Sequence, residues 1–297
     1  MSKNFKISGF ADEISDDLNT QIESLNKLGI KYVEMRGVDG KNLIFHSDEK
    51  VKDIKNRLDD AGIALSALGS PLGKIGIDDP FEKHFEEFKR AVDIAHKMET
   101  RNIRMFSFYV PEHMMRDEGQ QSEAKASLRR RVFERIGKFV DYAAENDAVI
   151  LHENEKGIYG EKAKECLEMM ETFGGEHFKA IFDFANFVQA CQDTLEAYDL
   201  LKDHIAYIHV KDALLENGNV VPAGFGDGNV EKILFNLFDS GFDGFLSIEP
   251  HLFNFTGFAG LEKGKDRIEI SGQKPLNGFE AFSLAYTSLK DILAGIT

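Results

Sequence analysis

The sequence predicts an α/β fold of the (β/α)8 type, a TIM barrel built as one domain over residues 1–297. Three observations predict it. Short β-prone apolar runs alternate with longer amphipathic stretches from end to end, the rhythm of a parallel sheet joined by crossover helices. Eight strand–helix pairs fit into 297 residues, whereas an open doubly wound sheet usually has fewer strands arranged around a switch point. No linker or shift of composition divides the chain.

The first unit is a strand over Lys6–Asp12 (KISGFAD) and a helix over Asp16–Leu28, with Leu18, Ile22, Leu25 and Leu28 on one side and Gly29 as its stop. Ile30–Arg36 follows as a strand, then a helix over Ser47–Ala61, where Ser47 can cap and Gly62 can stop. Ile63–Leu68 precedes a long helix over Pro80–Met98, with Pro80 suited to the first turn. Strand Asn102–Tyr109 leads through a charged segment to a helix over Ser122–Glu145. The second half pairs strand Ala148–Glu153 with helix Glu161–Phe173, Lys179–Asp183 with Asp193–Lys202, Ala206–Val210 with Asn229–Ser240, and Gly244–Glu249 with Phe279–Leu293. The connection at about 251–278 is longer than a turn needs and carries Phe253, Phe255 and Phe258, which points to an ordered lid, pocket wall or subunit contact rather than a floppy insertion.

Composition narrows the function. Lys and Arg number 36 against 51 Asp and Glu, a formal charge of −15 that repels phosphate backbones and anionic lipid, so no nucleic-acid or membrane partner is expected. With 42% apolar residues, 25 Phe and 6 Pro, the chain is that of a folded protein. The start, MSKNFKISGF, lacks the apolar core of a secretion signal, and no run of about 18 apolar residues occurs, so the expected location is the cytoplasm. Only Cys166 and Cys191 occur, read as two buried thiols in a reducing compartment.

Barrel enzymes gather their reactive groups at the C-terminal ends of the strands. Four consecutive strands end in a polar group: AVILHE at Glu153, KAIFD at Asp183, AYIH at His209 and GFLSIE at Glu249, spaced by 30, 26 and 40 residues. Each follows an apolar run, where an unpaired charge is costly. Taken singly, such an acid is as easily a helix cap or a surface ion pair. Taken together, three acids and one imidazole on neighbouring strand ends can converge on one point, and one divalent ion (Mn, Co, Zn, Fe or Mg) would offset their mutual repulsion.

At these residues the chain resembles the sugar phosphate isomerase/epimerase family of xylose isomerase-like barrels, which includes tagatose and psicose 3-epimerases, hydroxypyruvate isomerase and inosose dehydratase. The stretches that carry the likeness are GFADEIS (Gly9–Ser15), YVEMR (Tyr32–Arg36), GSPLGK (Gly69–Lys74), HENE (His152–Glu155), FDFAN (Phe182–Asn186), HVKDA (His209–Ala213) and GFLSIEP (Gly244–Pro250), one per unit and in order. The resemblance implies that Glu153, Asp183, His209 and Glu249 hold the metal and that Glu153 and Glu249 exchange the substrate proton. It also implies a small-molecule sugar substrate and a dimer or tetramer. Chemically, a metal on a carbonyl and its neighbouring hydroxyl acidifies the adjacent C–H, and two carboxylates can then move the proton through an enediolate.

Departures from the family bear on the substrate. Several epimerases have Asp-x-x-His on strand six, where this chain has Asn186 three residues after Asp183, and Lys211-Asp212 follows His209 in place of the ketose-epimerase pattern. Asn186 and Lys211 are therefore candidate substrate contacts; Lys211 has the strand parity of His209, and its other reading is an ion pair with Asp212 or another acid. Glu34 and Arg36 share one parity and are candidate substrate contacts too, with a salt bridge between strands as the alternative. Gly224–Gly228 (GFGDG) lacks the features of a phosphate loop and reads as a flexible loop over the site. The function expected is a metal-dependent sugar isomerase or epimerase, the alternative a dehydratase of keto-inositol type on the same metal site. An abasic-site endonuclease conflicts with the acidic charge, a metal-free glycoside hydrolase leaves Asp183 and His209 idle, and a silent sugar-binding barrel has no use for a full ligand set.

Overall fold

The computed structural model describes residues 5–111, 122–253 and 277–296. Eight strands form one sheet: β1 (Lys6–Gly9), β2 (Tyr32–Met35), β3 (Ala64–Leu68), β4 (Asn102–Met105), β5 (Val149–Glu153), β6 (Phe178–Asp183), β7 (Ile205–Val210) and β8 (Phe245–Ile248). Neighbours pair in parallel in the spatial order β1-β8-β7-β6-β5-β4-β3-β2, and β1 and β2 lie side by side, so the sheet nearly closes into the expected barrel. Among the described residues the α-helices are α1 (Leu18–Leu28), α2 (Asp48–Asp60), α3 (Phe81–Lys97), α4 (Ser122–Glu145), α5 (Ala163–Phe173), α6 (Phe184–Gln189), α7 (Thr194–Leu201), α8 (Val230–Ser240) and α9 (Gly278–Ile296).

Local chemistry explains the boundaries. Asp17 caps α1 by accepting the Thr20 amide at 2.8 Å, and Gly29 closes it in the left-handed region at φ +74°. Ser47 caps α2 as its position suggests. Pro80 stands at the N-cap of α3, one residue ahead of the expected first turn. The first strand stops at Gly9, and Ala11–Glu13 turns into a 3₁₀ helix that swings Asp12 and Glu13 inward. The sixth unit has a short helix the apolar pattern does not reveal, α6, started by Asp183 itself.

The main core lies between the sheet and the helices, with Phe88, Phe139, Phe108 and Phe81 packed ring against ring. A smaller cluster of Ala67, Val149, Leu151, Ile181 and Tyr207 marks the barrel. There Ser66 Oγ bonds Ser8 Oγ at 2.6 Å and the Tyr207 hydroxyl at 2.8 Å, a polar floor beneath the site. Side chains two apart on a strand share a face, so Leu151 and Glu153, Ile181 and Asp183, Tyr207 and His209, and Ser247 and Glu249 stack in layers.

Three expectations need correction or fall elsewhere. Cys191 is exposed, in the turn after α6, while Cys166 is buried. The GFGDG loop is pinned rather than loose: Asp212 accepts the amides of Ala213, Gly224, Gly226 and Gly228 at 2.8 to 3.0 Å. A side chain at Gly226 would strike Asp212 and the Ala213 carbonyl, so the glycine is sterically required. The long connection at 251–278 lies almost wholly outside the described residues. Among the described residues no helix is long and apolar enough to cross a membrane.

Candidate metal centre

Four side chains rise from the C-terminal ends of β5 to β8 to one point: one ligand atom each from Glu153, Asp183, His209 and Glu249 lies within 4.8 Å of the others, and all four residues are buried. Sheet register accounts for the convergence. Asp183 pairs with His209 across β6 and β7, and Ser247 pairs with His209 across β7 and β8, which sets Glu249 one layer higher on the adjacent strand end.

Asp183 and His209 each have one atom held and another without a hydrogen bond, whereas Glu153 and Glu249 are contacted at both oxygens. Asp183 Oδ1 accepts the Asn186 amide at 2.8 Å and so caps α6, while Oδ2 turns into the cluster. The two readings open for an acid at a strand end, cap and ligand, thus coincide in one carboxylate. His209 Nε2 faces Glu34 Oε2 at 3.0 Å, which leaves Nδ1 for the centre, 3.0 Å from Glu153 Oε1 and 3.9 Å from both Asp183 Oδ2 and Glu249 Oε2. Glu153 Oε2 receives Arg104 Nη1 at 3.2 Å, and Glu249 Oε1 receives Arg36 Nη1 at 3.0 Å. Lys211 Nζ lies 2.9 Å from Glu249 Oε2 and 3.1 Å from Asp183 Oδ2.

The charges follow from this geometry. Burial would raise the Glu153 carboxyl, but His209 and Arg104 outweigh it and hold it at about 2. Glu249 is driven well below the usual range because Lys211, His251 and His209 together overcome its burial. Asp183 moves the other way, to about 7, since burial and the charges of Glu153 and Glu249 exceed the help of Lys211. Burial disfavours the His209 imidazolium, yet Glu153 and Glu34 on its two sides raise it to about 10.

The candidate substrate contacts are all present at the centre, and each already holds a protein group. Glu34 is fully buried beneath His209, where Oε2 also accepts the Ser247 hydroxyl at 2.7 Å. Its Oε2 therefore faces the imidazole, an arrangement that fixes a histidine's tautomer, while its Oε1 makes no hydrogen bond. Arg36 bridges Asp12 at 2.8 and 3.2 Å, Glu13 at 3.2 Å and Glu249, an ion-pair network to the turn after β1 and the end of β8 rather than the salt bridge between strands given as its alternative. Asn186 Nδ2 donates to Glu153 Oε1 at 3.3 Å and to the Asn154 carbonyl at 2.9 Å. Lys211 enters the cluster while Asp212 turns to the loop, so the adjacent acid is not its partner there.

Sequence reasoning missed three contributors, Asp12, Glu13 and Arg104; a fourth, His251, lies two residues past Glu249, where the sequence alone lets it reach the pocket or serve the loop. Asp12 and Glu13 stand in the GFADEIS stretch at the end of the expected strand and just past it, where the chain in fact turns into the 3₁₀ helix. Arg104, 2% exposed in NIRMF, could have been found as a lone cation between apolar strand residues. His251, in the left-handed region at φ +46°, brings Nε2 to 3.3 Å from Glu249 Oε1 and gives its amide to Glu13 Oε2 at 2.7 Å. Glu13, Glu249 and His251 also gather closely enough for an ion, but the Arg36 guanidinium already supplies the cation there. Phe10 walls this side, its ring 4.4 Å from the Arg36 guanidinium, 4.9 Å from that of Arg104 and edge-on to His209 at 5.2 Å.

Comparison with known proteins bears on the fold and the family. No curated protein matches the chain. Among solved structures, the IolI protein, solved with a binding zinc atom, superposes with a TM-score of 0.72 at 15% identity over 99% of both chains. D-allulose 3-epimerase from Methylomonas sp., in complex with D-allulose, gives 0.71 at 15% identity, over 98% of this chain and 96% of that one. A xylose isomerase-like TIM barrel protein from Mycobacterium smegmatis, in complex with magnesium, gives 0.67 at 15% identity, over 99% and 98%. At such identities these likenesses establish the fold. The family model described as xylose isomerase-like TIM barrel matches residues 22–269, and the chain belongs to that family.

Proposed function

We propose that this protein is a divalent-metal-dependent isomerase or epimerase of a small sugar or sugar derivative, acting by proton transfer next to a carbonyl through an enediolate. The observation that carries the reading is the convergence of Glu153, Asp183, His209 and Glu249 on one buried point, with three oxygens and one nitrogen presented. The fit to a metal rests on two atoms of that set: Asp183 Oδ2 and His209 Nδ1 are buried, without a hydrogen-bond partner, and aimed inward. Mixed oxygen and imidazole donors suit Mn, Co, Zn, Fe or Mg. Such an ion, held by these four residues, would polarise a carbonyl and its neighbouring hydroxyl and acidify the C–H between them.

The chain's own residues would do the rest. Glu153 and Glu249 stand at the two ends of the β5–β8 arc, so a substrate between them meets a carboxylate on either side. Arg104 and His209 keep Glu153 ionised, and Lys211, His251 and His209 do the same for Glu249, the form in which a carboxylate can take a proton. Glu34 fixes the His209 ring, and Asn186 holds Glu153 from the α6 side. The acidic charge and the two cysteines support a cytoplasmic setting for this chemistry, without nucleic acid or membrane as partner.

The test is metal content of gently purified protein beside His209→Ala, followed by NMR in deuterated water with ketoses, their phosphates and keto-inositols. About one divalent ion per chain, lost in the variant, together with C–H exchange into substrate or product is the expected result. A product lacking the elements of water would assign the dehydratase instead. Wild-type protein that takes up no ion after soaking with Mn or Co would refute the reading.

A further inference from the structure

The ammonium of Lys211 stands among the proposed metal donors. Nζ is 2.9 Å from Glu249 Oε2 and 3.1 Å from Asp183 Oδ2, and all three side chains are buried. These two carboxylates are half of the four-residue donor set. Although Nζ is at ion-pair distance from Asp183 Oδ2, that oxygen makes no hydrogen bond, so the contact supplies charge rather than a directional lock. Lys211 follows His209 by two residues and Asp212 gives both its oxygens to loop amides, so the chain's path delivers the ammonium over the centre. Two cations sharing the same oxygens at about 3 Å repel strongly in a buried site.

We infer that Lys211 is a built-in stand-in for the metal: it neutralises Asp183 and Glu249 in the metal-free chain, and an entering ion must displace it. The inference rests on the metal reading above and adds a property to it. Metal affinity is set by competition with an internal cation, and metal binding changes where Lys211 points. The displaced ammonium then becomes available for an oxygen of the substrate, a role its place in the metal-free chain does not offer.

Zinc alone is the probe, titrated against a chromophoric chelator into wild type, Lys211→Met and Lys211→Arg. Removing the competitor should lower the Kd of Lys211→Met by roughly 10- to 100-fold, the size of a strong pairwise coupling, while Lys211→Arg, which keeps a cation, gains nothing. Wild type that binds one zinc while Lys211→Met binds it equally or more weakly would overturn the stand-in and leave the metal reading in place. Wild type that binds no zinc would overturn the stand-in as a competitor for that ion, and wild type that also takes up no Mn or Co would overturn both. Acetylation of wild-type lysines, followed by mass spectrometry, covers the case in which Lys211→Met does not fold: saturating zinc should raise labelling of Lys211 relative to Lys74, which pairs with Glu155 at 2.9 Å. An unchanged ratio would count against displacement.

Discussion

Replacing Glu34 with glutamine keeps the side chain's shape and removes the negative charge that faces His209 Nε2 across 3.0 Å. In the native chain Glu34 Oε2 serves both His209 and the Ser247 hydroxyl at 2.7 Å, and no solvent reaches it. A hydrogen bond to an ionised group is worth about twice a neutral one, so the substitution should cost about 1–2 kcal/mol of the support that holds Nδ1 toward the centre. That corresponds to about a 5- to 30-fold rise in metal Kd, near the lower part of the range typical for partners of ligating histidines. The assay is the zinc competition titration, with far-UV circular dichroism as a check on folding. A Kd within about twofold of wild type, accompanied by a raised KM, would refute this role and return Glu34 to the substrate contact its strand position suggested.

Three other outcomes follow from the same structure. Glu249→Gln should lower turnover by roughly 10²- to 10⁴-fold, with a smaller change in KM, if Glu249 handles the proton; steady-state kinetics showing equal kcat would remove it from the chemistry. Asp212→Ala strips four amides of their acceptor and should cost about 3 kcal/mol, a fall in Tm of about 6–12 °C, whereas a shift under about 2 °C would show the loop holds itself. His84 accepts the Gly73 amide at 2.7 Å, and burial lowers its pKa below the ordinary 6.5. Its contribution is therefore complete above pH 6.5 and lost as pH falls through the lowered folded value. Urea midpoints of wild type should drop more steeply between pH 7 and 5 than those of His84→Gln, and parallel curves would exclude His84 as the source.

The barrel was legible because its signals are local and repeated. Apolar runs of strand length, helices with a 3.6-residue period and stops such as Gly29 report their own neighbourhoods, and eight repeats leave few topologies. The strand-end quartet was legible for the same reason, since a charged residue closing a buried run is anomalous in one dimension already. The short helix α6 was not, because Phe184–Gln189 holds under two turns and its cap, Asp183, reads equally well as the end of a strand.

By itself the sequence determined the strands, the helices that cover them and the facing of Glu153, Asp183, His209 and Glu249 toward one end of the barrel, because alternation and periodicity fix a side chain's face. The tertiary structure decided who stands opposite whom. Glu34 meets His209 from 175 residues away, and Arg36 meets Glu249 from 213 residues away. Arg104 reaches Glu153 from the adjacent strand. Such pairings depend on the order in which eight strands close and on their register, and one chain's linear pattern encodes neither partner. Parity allowed Lys211 to face inward, and only the folded barrel set its ammonium between two of the acids.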